Sequence, residues 1–206
     1  MILVDRTIKS ARENGGLSIK PFNPENLQGN AYDVHLGATL MVIEDAVCCL
    51  LNEAGQIVDI SPRYDFVIDC KKPVKMISFE IPENGYELQP GVLYLGVTTE
   101  KVGLTDFAAN LEGKSSVGRF GIEVHRTAGL IDAGFDGFIT LEISVIHPTR
   151  VYAGMPIGQL VFQTLTDKPI NPYNLQKYAK YNGQIECVPV ASQFYKNFNQ
   201  ETGLWA

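Results

Sequence analysis

The 206-residue chain carries 23 acidic and 17 basic side chains, a formal net charge of −6, with 45% hydrophobic and 19% charged residues. That is a globular composition with capacity for a single core, and its acidic balance excludes sequence-blind binding to nucleic acid, which needs a basic surface. No apolar run approaches the roughly 20 residues that span a bilayer, and the opening Met1-Ile2-Leu3-Val4-Asp5-Arg6 is too soon charged for a secretory signal, so a cytoplasmic protein without a membrane partner is expected.

In chain order, residues 2–13 read as a helix. Ile8 and Ala11 share a face with Ile2 and Leu3, Asp5 is placed to cap, and Asn14-Gly15-Gly16 stops it. Leu17-Ser18-Ile19 is a short alternating piece ended by Pro21 and Pro24. From Tyr32 onward the pattern is mainly β. Tyr32–Gly37, Met76–Ile81 and Phe138–Val145 alternate, and Ile157–Phe162 follows as a further strand. Val92–Val97 is continuously apolar, as in a strand buried on both faces. Turn clusters such as Pro82-Glu83-Asn84-Gly85 and Gln89-Pro90-Gly91 separate the strands, and short strands at this spacing predict a sandwich or barrel. Residues 1–170 form the β domain in this reading. From about Asn171 the chain becomes rich in Tyr, Asn and Gln, so residues 171–206 read as a C-terminal arm.

Cys48, Cys49, Cys70 and Cys187 show no C-x-x-C spacing and read as reduced thiols. His35, His125 and His147 stand far apart without a metal-ligand motif, so no zinc site is expected, and His125 and His147 read as structural. The densest polar segment is Gly113-Lys114-Ser115-Ser116-Val117-Gly118-Arg119. Glycines that admit close backbone approach, hydroxyl donors and two cations are what an anion site needs; the same residues also make a solvated turn. It is not a P-loop, because Ala108 stands where the first glycine would be required. In Thr140-Leu141-Glu142, strand alternation puts Glu142 on one face with Thr140 and Ser144, and Leu141 and Ile143 on the other. That polar face is either solvent-exposed or the wall of a pocket, and in a pocket Glu142 becomes a general base or acid. Asp132 is either a turn residue or a ligand to a sugar hydroxyl, and Asp33 reads as a hydrogen-bond acceptor rather than a catalytic group.

Taken together, Ser18-Ile19-Lys20-Pro21-Phe22, Ala31–Gly37, Gly113–Arg119, Thr127–Asp132, Thr140-Leu141-Glu142, Ile157–Leu160, Pro172-Tyr173, Lys180-Tyr181 and Gln184 resemble the dCTP deaminase family over nearly the whole chain. The resemblance implies a trimeric, mainly β, dUTPase-like distorted jelly-roll or barrel with a short N-terminal helix. It implies that Glu142 deprotonates the water that attacks C4 of cytosine, with Ser115 and Arg119 holding that water and offsetting charge. Lys114, Ser115, Ser116, Val117, Gly118, Arg119, Lys180 and Gln184 would bind the triphosphate, and Thr140 and Leu141 the base and sugar. Asp132 would lie near the deoxyribose with Tyr173 beside it, and Gln159 would add a contact. Sites would lie between subunits of a homotrimer, under the C-terminal arm, with Mg²⁺ riding on the phosphates and no metal held by the protein.

Gly129 resembles members that also cleave the α–β phosphoanhydride to give dUMP, whereas dUTP-forming members often carry a bulky polar residue there; Leu130 departs from an aromatic at the next position. The expectation is therefore a dUMP-forming enzyme. A dUTP-forming deaminase, a plain dUTPase and a non-catalytic nucleotide-binding regulator stand as alternatives. Lys114 replaces a frequent Arg, exchanging a bidentate contact for a point charge. The long aromatic tail from Phe194 through Phe198 to Trp205 is expected to pack against a neighbouring subunit rather than to act as a lid.

Overall fold

A computed structural model describes residues 1–177, 179–199, 201, 202 and 204; Trp205 lies outside them. The N-terminal helix α1 spans Asp5–Glu13 and buries Ile8 and Ala11. Its cap differs from expectation. Val4 is the N-cap, its N–H held by Thr7 Oγ1 at 2.8 Å, while Asp5 lies inside the first turn, where a negative charge suits the helix dipole.

The strands are β1 (Leu17–Lys20), β2 (Tyr32–His35), β3 (Thr39–Ile43), β4 (Val47–Leu51), β5 (Ile57–Pro62), β6 (Met76–Glu80) and β7 (Tyr86–Leu88). They continue with β8 (Tyr94–Leu104), β9 (Phe107–Gly113), β10 (Ile122–Glu123), β11 (Leu130–Ile131), β12 (Asp136–Val145), β13 (Thr149–Val151) and β14 (Pro156–Thr164). A six-stranded sheet runs β10-β12-β8-β3-β6 with β1 also on β8, and a four-stranded sheet runs β11-β9-β14-β2. Two small pairs, β13-β7 and β4-β5, complete the pattern.

One face of each large sheet supplies the core. Tyr94, Leu141, Ile143, Leu40 and Val42 from the six-stranded sheet join Tyr32, Val34, Leu111, Leu160 and Phe162 from the other in one continuous cluster. The period of two therefore decides everything on β12: Leu141 is 0% exposed in the core, so Thr140 and Glu142 must stand on the outer face. The second face of the Val92–Val97 run is covered only partly, since Leu95 is half-buried and Leu93 is 37% exposed.

Ahead of Glu142, between Phe138 and Thr140, the β12–β8 ladder is irregular. Phe138 pairs Lys101 and Thr140 pairs Val97, so the register slips across Thr98–Glu100. The slipped segment is tied down by side chains. Thr98 Oγ1 accepts the Ile139 N–H and donates to Glu100 O, while the buried Glu100 carboxylate accepts His35 N–H at 3.0 Å and meets His35 Nδ1 at 2.7 Å. Such a bulge bends its strand and re-aims the side chains beside it. Beyond Thr164 the described residues are irregular apart from 3₁₀ turns at Tyr173–Leu175 and Phe194–Asn197.

Candidate active site

The outer face of the six-stranded sheet forms the floor of a cavity of about 390 Å³. Glu142 lies directly across the ladder from Leu95, and Ile43 from Met76, so the strand register brings a carboxylate and three apolar side chains onto one surface. Thr140 and Phe138 continue the β12 row, while Leu130, Ile131 and Asp132 close one side. The chain's last part provides the roof, with Tyr173, Tyr181, Gln184, Val190 and Ser192. It is fastened at several points. Tyr173 N–H donates to Ala133 O at 2.8 Å, Gly183 N–H to Asp136 O at 2.7 Å, and Val190 N–H to Thr140 Oγ1 at 3.1 Å. Gly134, at φ +91°, permits the first of these crossings: a Cβ there would lie 2.8 Å from the Tyr173 nitrogen.

Glu142 is half-buried in this wall, and two bonds from one neighbouring segment fix it. Its N–H donates to Val124 O at 3.0 Å, and its Oε2 accepts the Arg126 N–H at 2.9 Å. One carboxylate oxygen is thereby engaged, and among the described residues no donor meets Oε1.

The expected site residues divide into two groups. Leu130, Asp132, Thr140, Glu142, Tyr173 and Gln184 line the cavity. Lys114, Ser115, Ser116, Val117, Gly118, Arg119, Gly129, Gln159 and Lys180 do not. Two of the expected residues turn their side chains inward. Leu141 and Val117 point into the core, at 0% and 6% exposure, so only their main-chain groups remain for a ligand. Ser115–Gly118 is a single helical turn at the end of β9, with Ser115, Ser116, Gly118 and Arg119 exposed and the Arg119 guanidinium folded back onto Ser115 O at 3.1 Å. Lys114 is not free to act as an unencumbered charge: its Nζ is ion-paired with Asp33, which is 7% exposed and also accepts Gln28 Nε2. Gln159 stands between Asp33 and Glu112 on the four-stranded sheet. Lys180 hydrogen-bonds Asn197 and lies 5.9 Å from the centre of the Phe194 ring.

Gly129 has a packing reason to be glycine. A Cβ there would lie 2.8 Å from Leu111 O and 3.2 Å from His125 Nε2. Leu130 beside it is 64% exposed and reaches the cavity rim. Sequence reasoning missed the apolar floor and the Arg126 amide. The unbroken hydrophobicity of Val92–Val97 signalled that the second face has a cover; a backbone donor leaves no signal in residue types.

Among the described residues the cavity wall contains two carboxylates and no lysine or arginine, and no group of three His, Cys, Asp or Glu side chains converges as a metal site. No helix among the described residues is long and apolar enough to cross a membrane.

Comparison with known proteins identifies the family. The dCTP deaminase-like family model matches residues 2–165. A protein named "dCTP deaminase, dUMP-forming" from Methanospirillum hungatei JF-1 is 40% identical over 202 residues, 96% of this chain and 98% of that one. Its namesake from Methanosphaerula palustris is 41% identical over 200 residues, 96% of this chain and 97% of that one. The crystal structure of 2′-deoxycytidine 5′-triphosphate deaminase from Agrobacterium tumefaciens aligns with a TM-score of 0.56 at 20% identity, over 79% of this chain and 48% of that chain, and shows a shared fold alone. The mainly β architecture, shared with that deaminase structure, is thus as the sequence led one to expect. With a family model spanning most of its length and relatives spanning nearly all of it, the chain belongs to the dCTP deaminase-like family.

Proposed function

We propose that the chain converts dCTP to dUMP by hydrolytic deamination at C4 followed by cleavage of the α–β phosphoanhydride. Water adds to C4, its proton passes to Glu142 Oε1, and return of that proton to the amino group lets ammonia leave. The product of this half is dUTP. A second water at the α-phosphorus then gives dUMP and pyrophosphate. The names of the relatives support the overall conversion. For Glu142 the support is its place in the cavity wall, with Oε2 held by the Arg126 amide so that the carboxylate is aimed before substrate arrives.

The observation that carries the reading is the charge of the cavity. A triphosphate cannot bind stably in a wall that presents Asp132 and Glu142 without a cation. The hydroxyls and guanidinium suited to it, Ser115, Ser116 and Arg119, are exposed on the same chain but outside that wall. A second copy presenting this loop completes the site, so the working form in this proposal is a homotrimer with sites between subunits, residues 171–206 closing each one. Lys180 and Gln184 from that arm bind phosphates in the closed state. Mg²⁺ enters as a partner of the triphosphate oxygens and water, which requires no protein ligand set, and when bound it screens phosphate charge. The enzyme would serve the cytoplasmic nucleotide pool.

Product analysis tests this reading. With dCTP and Mg²⁺, ammonia, dUMP and pyrophosphate are expected, and Glu142→Gln lowers kcat by about a hundredfold or more. Conversion of dUTP with no ammonia from dCTP would identify a plain dUTPase. Accumulation of dUTP would remove the second step, and binding without turnover would identify a regulator.

A further inference from the structure

A second polar cluster lies beside Glu142, and the chemistry just described does not use it. Glu123 pairs across the β10–β12 ladder with Ser144. Ser144 Oγ donates to Glu123 Oε2 at 2.7 Å, Arg126 Nη1 donates to the same oxygen at 2.6 Å, and Arg126 Nη1 also donates to Ser144 Oγ at 3.1 Å. The three side chains close a ring in which the serine is both donor and acceptor. Ser144 shares its strand face with Glu142, and the main chain of Arg126 carries the N–H that meets Glu142 Oε2.

We infer that Glu123, Arg126 and Ser144 form a clamp that positions the catalytic carboxylate through the Arg126 amide. The strand β10 ends at Glu123, and beyond it Val124 O is the last main-chain acceptor used by β12. An amide two residues past the end of a ladder has little to fix its direction. The guanidinium supplies that constraint, because its Nη1 is tied to two groups that are themselves fixed by strand pairing. With the amide fixed, rotation of the carboxylate that would exchange its oxygens is opposed, and Oε1 stays the oxygen that does not accept the Arg126 N–H. Stability does not account for the cluster: Glu123 and Arg126 are each 57% exposed, where ion pairs contribute little. Arg126 and Glu123 are thus positioning residues, acting through Glu142. The inference rests on the proposed role of Glu142.

Two measurements test it, one independent of turnover. Amide hydrogen exchange on the parent protein and on Glu123→Gln reads the Arg126 N–H directly. Exchange about tenfold faster in the variant is expected, and equal exchange overturns the clamp whatever the substrate proves to be. Steady-state kinetics with dCTP then separate positioning from binding. Arg126→Ala is expected to lower kcat about tenfold with KM moved less than about twofold and Tm within about 2 °C of the parent. Arg126→Lys should recover part of the loss, and Glu123→Gln added to Arg126→Ala should cost nothing further, since both break one unit. An unchanged kcat in a parent that deaminates dCTP overturns the clamp. So does a raised KM with kcat intact, which would make Arg126 a substrate ligand. A parent that releases no ammonia refutes the proposed function instead, and leaves the exchange experiment to decide the clamp.

Discussion

Mixing two single-site variants decides whether one cavity draws on two chains. Glu142→Gln disables the cavity wall, and Ser115→Ala disables the exposed loop; no residue of 114–119 lines the cavity of the same chain. In a cyclic trimer each site would combine the wall of one subunit with the loop of the next. After random exchange at equal amounts, half of the walls and half of the neighbouring loops are intact, so about one site in four is whole. If each variant alone retains on the order of 1% of parent activity, the mixture should rise to about a quarter of it. The assay is ammonia release from dCTP after joint refolding, with subunit mixing verified by native mass spectrometry on differently tagged chains. Were wall and loop to act within one chain, every chain would carry a lesion and the mixture would stay at the variants' level. Mixed trimers with no recovered activity would therefore refute the shared site.

Two further outcomes follow from packing and burial. Gly129→Ala places a methyl group 2.8 Å from Leu111 O, a main-chain atom held because Leu111 N–H donates to Gly129 O at 2.8 Å. The expected cost is about 1–3 kcal/mol, seen as a lower Tm in thermal denaturation, and an unaltered Tm would show that the segment yields freely. Burial pushes the Tyr94 hydroxyl up to about 12, against the lowering effect of the Gln89 N–H it accepts, and pushes Tyr86 up as well. Unfolded tyrosines ionise near pH 10, so the unfolded chain loses these protons first. Stability intact below about pH 10 should then fall as pH rises from about 10 to 12, by about 1.4 kcal/mol per unit for each such tyrosine. Urea unfolding at pH 9, 10 and 11 checks this, and a flat profile counts against their burial.

Where alternation was strong, the chain's pattern carried the architecture. Phe138–Val145 places Leu141 inside and Glu142 outside because nothing but a two-residue period fits its polarity, and the strand Asp136–Val145 has that burial. The strand Phe107–Gly113 escaped notice because its buried side chains include Ala108 and Ala109, too small to mark a period; its place is fixed by seven pairings with β14. The β4–β5 hairpin escaped for the opposite reason. Leu50, Leu51 and Val58 are apolar yet exposed, so composition misstates which face is covered. The helix cap went to Thr7 rather than Asp5 because a hydroxyl three residues in can hold the Val4 N–H, which residue preference at one position does not weigh.

Residue type and role part company most clearly at Lys114. Read alone, a lysine between Gly113 and Ser115 is a phosphate-binding charge. In the fold its ammonium meets Asp33 on β2, whose other oxygen, Oδ1, is buried without a hydrogen-bond partner among the described residues. Separating such a pair would leave a buried carboxylate uncompensated, a cost that a solvent-exposed phosphate contact cannot readily offset. Lys114 therefore ties the start of the Ser115–Gly118 turn to the four-stranded sheet, and the charge that the loop presents at the surface is that of Arg119, which is exposed. The same division runs through the whole site. Glu142 is held by main-chain groups of the segment that follows β10, while Ser115, Ser116 and Arg119 stand at the surface. A triphosphate and a second chain would then be bound by the same exposed loop, which makes assembly and substrate affinity two readings of one electrostatic requirement.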